Sequence, residues 1–185
     1  SAASDVYKRQ VIFKTEKQER EYFRSDRSRV ILQTYLNRVY TGSDKDEIQK
    51  QISENKDFSL SEAALNEFEK YLNEHIPEFE NGMYDRISVE QSDGKIPAIL
   101  LHEKSGEIVD LNSTSAGRRW YFTYYFMKNT LESGDLFIID EPAAMLHPLA
   151  QKEVLKELLQ LESRGIRVIY SCLLYTSPSP RDSWA

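Results

Sequence analysis

This chain of 185 residues has a single cysteine, no long apolar run and no excess of positive charge. That cysteine, Cys172, lies in the C-terminal segment 172–185, which has the character of added sequence, so neither a disulfide nor thiol chemistry can be argued. No apolar run approaches the roughly 20 residues that a membrane-spanning helix needs. The net charge is −6, which argues against bulk nucleic-acid binding but leaves room for a local basic face. We therefore expect a soluble, cytoplasmic protein without a membrane partner.

Both ends of the chain have the character of added sequence. Residues 5–10 (DVYKRQ) can be encoded by GATGTGTATAAGAGACAG, and the reverse complement of that string, read from its second base, encodes residues 172–177 (CLLYTS). Unrelated natural segments are not expected to be inverted repeats of each other, and the pair resembles transposon adapters used for sequencing libraries. We expect residues 1–10 and 172–185 to be adapter-derived scars and exclude them from fold reasoning.

The segment 11–84 is predicted to be a helical arm or insertion, because it is charged and its apolar residues recur at helical spacing. The first helix is expected within residues 11–40, with a face of Val30, Leu32, Tyr35, Leu36, Val39 and Tyr40. The second surrounds Ile48 and Ile52. The third is predicted to begin at Ser59, with Glu62 completing a capping box, and its apolar face is Leu65, Phe68, Leu72 and Ile76.

In the segment 85–171 the spacing of the apolar residues changes, and the new pattern predicts an α/β fold. Residues 86–111 alternate between apolar and polar side chains around the turns SDG (92–94) and KSG (104–106), which is typical of a short β-meander. A helix over about 116–131 follows, then the apolar strand LFIID (136–140), a helix over 147–164 that stops at Gly165, and the strand IRVIYS (166–171). Strand, helix and strand of these lengths form a βαβ unit with a parallel sheet and a right-handed crossover. Because LFIID does not alternate, we expect it to be fully buried.

Two acids, Asp140 and Glu141, come directly after this apolar strand in LFIIDEPAAMLHP (136–148). In a parallel sheet, ligands bind beyond the carboxyl ends of the strands. A carboxylate at that end can hold hydrated Mg²⁺, and its neighbour can orient or deprotonate an attacking water. Taken alone, the string is equally compatible with a structural strand that ends in a solvated turn.

The order of motifs resembles the ATPase domains of the ABC superfamily, in the branch that includes RecF, structural-maintenance-of-chromosomes and OLD-type proteins. LFIIDEP is similar to their Walker B strand, and LHP follows the acids at the family's distance. LNSTSAGRR (111–119) is similar to their signature motif LSSxSSGxR, and the resemblance covers residues 87–171. It implies a P-loop NTPase fold with ATP and Mg²⁺ as cofactors, Asp140 as the metal ligand and Glu141 as the catalytic residue.

The signature motif has its own physical logic. A serine and a glycine at a helix start, here Ser115 and Gly117, offer a hydroxyl and free N–H groups to an anion, helped by the helix dipole. The resemblance implies that both residues contact the γ-phosphate of ATP held by the opposite subunit, in a homodimer closed by an ATP sandwich. Asn112, Ala116 and Arg118 depart from the commonest residues of the motif. The alternative is a capped helix after a hairpin.

Other polar and aromatic residues allow two interpretations. AAMLHP (143–148) would be the D-loop at the dimer interface, but for His147 we favour a local helix cap or a surface contact over a functional role. Arg118 and Arg119 could reach phosphate, although paired arginines beside a helix are usually solvated. The run WYFTYYF (120–126) is expected to be core rather than a base-stacking surface. His75 and His102 have no partners at metal-ligand spacing.

A phosphate-binding GxxxxGK[ST] loop is missing from the sequence. In the family, that loop lies before the helical insertion. A histidine that contacts the γ-phosphate commonly follows the strand that corresponds to VIYS (168–171). In this chain the expected adapter-derived segment begins at residue 172, within two residues of where that histidine would be. We therefore expect a fragment with half a nucleotide site that is inactive alone. We expect its full-length protein to serve DNA repair or phage defence, with a nucleic acid or nuclease effector.

The alternative function is a non-enzymatic helical protein-interaction module. A transporter ATPase is disfavoured by the long acidic insertion and the LHP-type loop.

Overall fold

The computed structural model describes residues 10–13, 27–54, 59–76, 84–92, 94–139 and 146–170. In chain order the elements are β1 (Gln10–Phe13), α1 (Arg27–Arg38), α2 (Lys45–Ser53), α3 (Glu62–His75), β2 (Tyr84–Glu90), β3 (Ala98–Glu103), β4 (Ile108–Asp110), a 3₁₀ turn (Leu111–Ser113), α4 (Ala116–Asn129), β5 (Leu136–Ile139), α5 (Pro148–Ser163) and β6 (Arg167–Tyr170). The predicted order of helices, meander and βαβ unit is confirmed. Among the described helices, none has the length and apolar character to cross a membrane.

The chain divides into two compact units. The helix–meander unit is Glu16–Glu132, and the parallel-sheet unit combines Ser1–Thr15 with Ser133–Ala185. The sequence placed a boundary between residues 84 and 85, whereas in the structure the helices and the meander share one unit. The reason is a common hydrophobic cluster, to which both contribute.

The hydrophobic cluster of the helix–meander unit joins one face of each helix to one face of the sheet. Its fully buried members are Ile31, Leu32, Leu36, Ile52, Phe68, Leu72, Ile99, Leu101, Leu111, Phe122 and Phe126. The sheet order is β2-β3-β4 and all pairs are antiparallel, with Ile87 opposite Leu101 on the core side. Each such side chain contributes about 1.5–3 kcal/mol on burial, so this cluster is the main stabilising feature of the unit.

Side chains of α3 form hydrogen bonds with backbone N–H and C=O groups at the outer edge of β2. Asn73 donates from Nδ2 to the carbonyl oxygen of Ile87 over 2.8 Å and accepts at Oδ1 from the N–H of Ile87 over 2.9 Å. Glu69 accepts at Oε2 from the N–H of Val89 over 2.8 Å. An edge strand with free N–H and C=O groups invites pairing with other chains, so these three bonds both fix β2 and close its edge.

The start of α3 differs from the prediction. The N-cap is Ser61, whose hydroxyl accepts from the N–H of Ala64 over 3.2 Å, and not Ser59. The cause is a long-range bond, since the N–H of Leu60 donates to Oε1 of Gln91 over 2.9 Å and Leu60 is buried. Residues 59 and 60 therefore precede the helix rather than forming its first turn.

The parallel-sheet unit holds the order β1-β5-β6, with both pairs parallel. The parallel pairing of β5 with β6 was predicted, but β1 was not, because residues 11–13 fell within the segment expected to be helical. Phe137 and Ile139 are fully buried, whereas Leu136 and Ile138 are partly exposed. The prediction that the strand is buried throughout is therefore wrong.

Helix α5 ends in a Schellman motif, which leads the chain into β6. The N–H of Gly165 donates to the carbonyl of Glu162 over 3.0 Å, and the N–H of Ile166 donates to the carbonyl of Leu161 over 3.2 Å. Gly165 has φ +77°, the left-handed conformation that this motif requires. Buried Ile166 then anchors the turn before the strand begins.

Candidate functional site

Strand β5 lies in the centre of the described parallel sheet and leads directly into Asp140 and Glu141. Its last residue, Ile139, is in register with Phe13 on one side and with Tyr170 on the other. The described residues of the three strands are thus in register, and ligands of parallel sheets bind beyond the carboxyl ends of the strands. Asp140 and Glu141 themselves lie outside the described residues, so their roles as metal ligand and catalytic residue stay predictions.

Backbone hydrogen bonds fix the entry into β5. The N–H of Gly134 donates to the carbonyl of Gly165 over 2.8 Å, and the N–H of Arg167 donates to the carbonyl of Asp135 over 3.0 Å. These bonds join the residues before β5 to the turn between α5 and β6. The strand that delivers the two acids is therefore held at its start as well as along its length.

His147 caps α5. Its Nδ1 accepts from the N–H of Leu149 over 3.4 Å, and Pro148 occupies the first helical position. Proline suits that position because its missing N–H would have no intrahelical partner. The prediction of a local cap is confirmed for His147, while residues 143–145 of the expected D-loop lie outside the described residues.

The signature turn, defined as residues 111–119, lies between the end of β4 and the first turn of α4. Ser115 is the N-cap of α4, and its hydroxyl accepts from the N–H of Arg118 over 3.4 Å. Ser115 is exposed, and Gly117 is half-buried in the first helical turn. No acidic residue stands in that turn. The predicted helix start is confirmed, and it leaves a hydroxyl and the first N–H groups of a helix at an accessible position.

Arg118 and Arg119 are both fixed by protein groups, contrary to the expectation that they are solvated. Arg118 donates from Nη2 to Oε1 of Glu103 over 2.9 Å, and its guanidinium lies 5.1 Å from the ring centroid of Tyr84. The hydrogen bond from Arg118 lowers the pKa of Glu103 below its usual value. Arg119 donates from Nη1 to the carbonyls of Asn112 over 3.1 Å and Thr114 over 3.0 Å.

Asn112 is a functional candidate that sequence reasoning treated only as a departure from the motif. Its Oδ1 accepts from the N–H of Arg27 over 2.9 Å and from the N–H of Ser28 over 3.3 Å, so it takes the place of a cap at the start of α1. Asparagine is a preferred capping residue. The helix that it caps lies 85 residues earlier in the chain, so no local sequence signal could have shown the contact.

The aromatic run is core, as predicted. Trp120, Phe122, Tyr124 and Phe126 are each at most 2% exposed. The rings of Trp120 and Tyr124 are stacked at a centroid distance of 5.3 Å. The alternative of a base-stacking surface therefore has no support from these four side chains.

The chemistry of both motifs fits a nucleotide site. The N-terminus of α4, with a capping serine and no acidic residue, suits an anion such as a phosphate. A carboxylate beyond β5 suits Mg²⁺, which prefers oxygen ligands. In the described part of the chain, no cluster of His, Cys, Asp or Glu could hold a metal ion. His75 and His102 instead lie 2.9 Å from the carbonyl oxygen of Tyr71 and 2.6 Å from the hydroxyl of Ser88.

Comparison with known protein families identifies the class. Residues 9–171 match the family described as "AAA domain, putative AbiEii toxin, Type IV TA system", and the chain belongs to this family of AAA domains. It is therefore a nucleotide-binding, ATPase-type domain with the P-loop NTPase fold, and the parallel β5–α5–β6 unit is compatible with that fold. No curated protein matches the chain.

Proposed function

We propose that this chain supplies the signature and Walker B elements of an ATPase that dimerises around ATP, in the RecF, structural-maintenance-of-chromosomes and OLD-like branch. The observation that carries the proposal is the signature turn, in which Ser115 caps α4 with an exposed hydroxyl. The turn precedes a helix and then a central parallel strand that leads into two carboxylates. A non-enzymatic module would have no need for these parts in this order.

Ser115 and Gly117 are assigned to the γ-phosphate of ATP bound by the opposite subunit. The hydroxyl can donate to a phosphate oxygen, and the first-turn N–H groups of α4 lie at the positive end of the helix dipole. The neighbouring Arg118 is paired with Glu103, which reduces its net field at the turn. Most of the phosphate recognition at this turn would therefore come from the helix start rather than from the arginine.

Asp140 is assigned to Mg²⁺ and Glu141 to the attacking water. The metal ion, when bound with ATP, would neutralise charge that develops on the phosphate oxygens. Glu141 would orient the water and accept its proton, a role that requires a carboxylate close to the reacting phosphate. Adjacent residues at a strand end point in different directions, which allows the two acids to serve different partners.

The phosphate-binding loop, and the histidine that contacts the γ-phosphate in related ATPases, are proposed to come from outside these 185 residues. The closed dimer would work the helical unit or an attached nuclease or nucleic-acid effector, in DNA repair or phage defence. The toxin–antitoxin system named in the family's description is a further biological context for such an effector.

The test of the catalytic assignment is Glu141→Gln in the full-length protein that contains the phosphate-binding loop. Loss of a general base typically lowers turnover by about 10²- to 10⁴-fold, so we expect ATP hydrolysis to fall by that factor while ATP binding persists. Glu153→Gln, an exposed position on α5, is the matched control and should hydrolyse ATP normally.

Unchanged turnover in Glu141→Gln would remove this residue from the role of base. The chain of 185 residues on its own is expected to show no ATP turnover, because it has no GxxxxGK[ST] sequence. Robust hydrolysis by that chain would overturn the proposed placement of the phosphate-binding loop.

A further inference from the structure

We infer that Asn112 is a positioning residue that ties the phosphate-contacting turn to the start of α1, so that the two move as one. The inference rests on the proposed function of Ser115 and Gly117 and adds a connection that their sequence motif does not contain. It concerns how the signature turn is held, and which other part of the helix–meander unit is affected when a phosphate binds to it.

The side chain of Asn112 completes the start of α1. Its Oδ1 accepts both the N–H of Arg27 and the N–H of Ser28, over 2.9 and 3.3 Å. Arg27 and Ser28 are 2% and 1% exposed, so water has little access to either residue. The first N–H groups of a helix have no intrahelical acceptor, and Asn112 provides one from the signature turn.

The backbone of Asn112 completes the signature turn. Its N–H donates to Oδ1 of Asp110 over 2.7 Å, which fixes the turn to the end of β4. Its carbonyl accepts from Nη1 of Arg119, and the same nitrogen donates to the carbonyl of Thr114 over 3.0 Å. The guanidinium of Arg119, on α4, therefore bonds to two residues that precede Ser115. These bonds hold the N-cap residue against its helix.

One residue thus connects three elements through its backbone and its side chain. A shift of the turn that brings Ser115 onto a phosphate must either carry α1 along or break two hydrogen bonds at a buried helix start. Breaking them leaves N–H groups without acceptors, which is unfavourable away from water. ATP contact at the turn and the position of α1 are coupled by this arrangement.

The first test is amide hydrogen exchange on the chain itself. In Asn112→Ala, we expect the amides of Arg27 and Ser28 to exchange roughly tenfold faster, the effect of losing about one hydrogen bond, and the amides of Arg118 and Arg119 to accelerate with them. Asn112→Asp keeps the acceptor and should restore protection at both places. Ser113→Ala, an exposed neighbour, is the control and should change neither.

Faster exchange at Arg27 and Ser28 with unchanged exchange at Arg118 and Arg119 would refute the coupling. If Asn112→Ala does not fold, Arg119→Lys breaks the same connection at its other end. Lysine keeps the charge but cannot reproduce the two-carbonyl contact. Arg119→Lys should accelerate exchange at Arg27 and Ser28 as well, and no change there would equally refute the inference.

The second test separates the inference from the proposed function. The protein for this test is the full-length chain with Glu141→Gln. Two quantities are measured: the dissociation constant of the dimer in the presence of ATP, and the affinity of the separated subunits for ATP. We expect Asn112→Ala to weaken the dimer by about tenfold without changing ATP affinity, and Asn112→Asp to restore the dimer. A variant that merely destabilised the protein would not be rescued in this way.

The outcomes for Ser115 and Asn112 distinguish the two ideas. If Ser115→Asp leaves the ATP-dependent dimer intact, the proposed phosphate contact fails. If Ser115→Asp abolishes the dimer but Asn112→Ala leaves it unchanged, the phosphate contact stands and the positioning role of Asn112 is wrong.

Discussion

Short polar side chains at the ends of elements determine much of the local geometry in this protein. His147 and Ser61 accept from the first N–H groups of their own helices, over 3.4 and 3.2 Å. Such caps are visible in sequence, because Ser, Asn and related residues at a helix start have a known preference. Which of two nearby serines caps α3 was not predictable, since Leu60 is held by Gln91 from a distant strand connection.

Asn112 and Asn73 illustrate the limit of sequence reasoning at the residue scale. Asn112 bonds to residues 85 and 84 positions away, and Asn73 bonds to Ile87 across a helix–strand contact. Their roles depend on tertiary packing, which brings a backbone group within about 3 Å of an amide side chain. Neither residue has a local spacing pattern that could have revealed its partner.

The ion pair between Glu103 and Arg118 gives a prediction for pH. Because the hydrogen bond from Arg118 lowers the pKa of Glu103, the pair stabilises the folded state above the ordinary glutamate pKa of 4.5. That stabilisation is lost as the pH falls through the lower, folded-state pKa. We therefore expect the difference in unfolding free energy between the unmodified chain and Glu103→Gln to be largest near neutral pH and to shrink in acid.

Urea unfolding at a series of pH values from 7 to about 3 measures this difference, since carboxylates titrate in that range. Glu107→Gln, an exposed position in the same hairpin, serves as the control. A difference between the unmodified chain and Glu103→Gln that stays constant over the whole series would show that the ion pair contributes nothing to stability.

The sequence predicted the elements correctly where a periodic apolar pattern extends over many residues, or where the contacting residues lie close together in the chain. The helix α4 and the meander turns lie where the sequence placed them, with Gly106 at φ +90° in the β3–β4 turn. The parallel pair β5 and β6 follows from two apolar strands joined by a helix. Strand β1 was missed because it is four residues long and its partner β5 lies more than 120 residues later.

The Schellman turn after α5 is the element-scale feature that the sequence signalled most directly. Gly165 stands just past the helix with φ +77°, and an added Cβ there would come within 2.5 Å of Oγ of Ser133. An L-residue in this conformation costs about 1–2 kcal/mol, so Gly165→Ala should lower the unfolding free energy by at least that amount. Chemical denaturation with fluorescence or circular dichroism provides the measurement.

Gly106 provides a matched control for Gly165. It also has positive φ, but a Cβ added there would meet no other atom within 4 Å, so Gly106→Ala reports backbone strain alone. Gly165→Ala should cost more than Gly106→Ala, and adding Ser133→Ala should remove the excess. Equal stability of Gly165→Ala and the unmodified chain would contradict the left-handed turn at the end of α5.

At the scale of the whole molecule, each of the two compact units carries one of the two proposed motifs. The signature turn belongs to the helix–meander unit, and β5 belongs to the parallel-sheet unit. The sequence predicted both motifs and their order but divided the chain elsewhere. Shared burial of the helices with the meander could not be read from periodicity, because periodicity shows which face is apolar and not what covers it.

The family match assigns the chain to a class of nucleotide-binding, ATPase-type domains, and the parallel β5–α5–β6 unit is compatible with the fold of that class. The positions of the proposed chemistry differ in how far they could be predicted. The start of α4 at Ser115 was predicted from the sequence and lies in the described structure. The roles of Asp140 and Glu141 depend on the motif and on their place directly after β5. Dimerisation through ATP is therefore the claim that most needs a direct measurement.

That measurement is sedimentation of the full-length Glu141→Gln protein with and without ATP and Mg²⁺, alone and combined with Ser115→Asp. Aspartate is as good an N-cap as serine, so α4 keeps its start, but its negative charge faces the phosphate that Ser115 is proposed to contact. We expect an ATP-dependent dimer for Glu141→Gln and a monomer for the double variant, with equal thermal stability of the two proteins. Dimers of equal strength in both proteins, or no ATP-dependent dimer in either, would contradict this expectation.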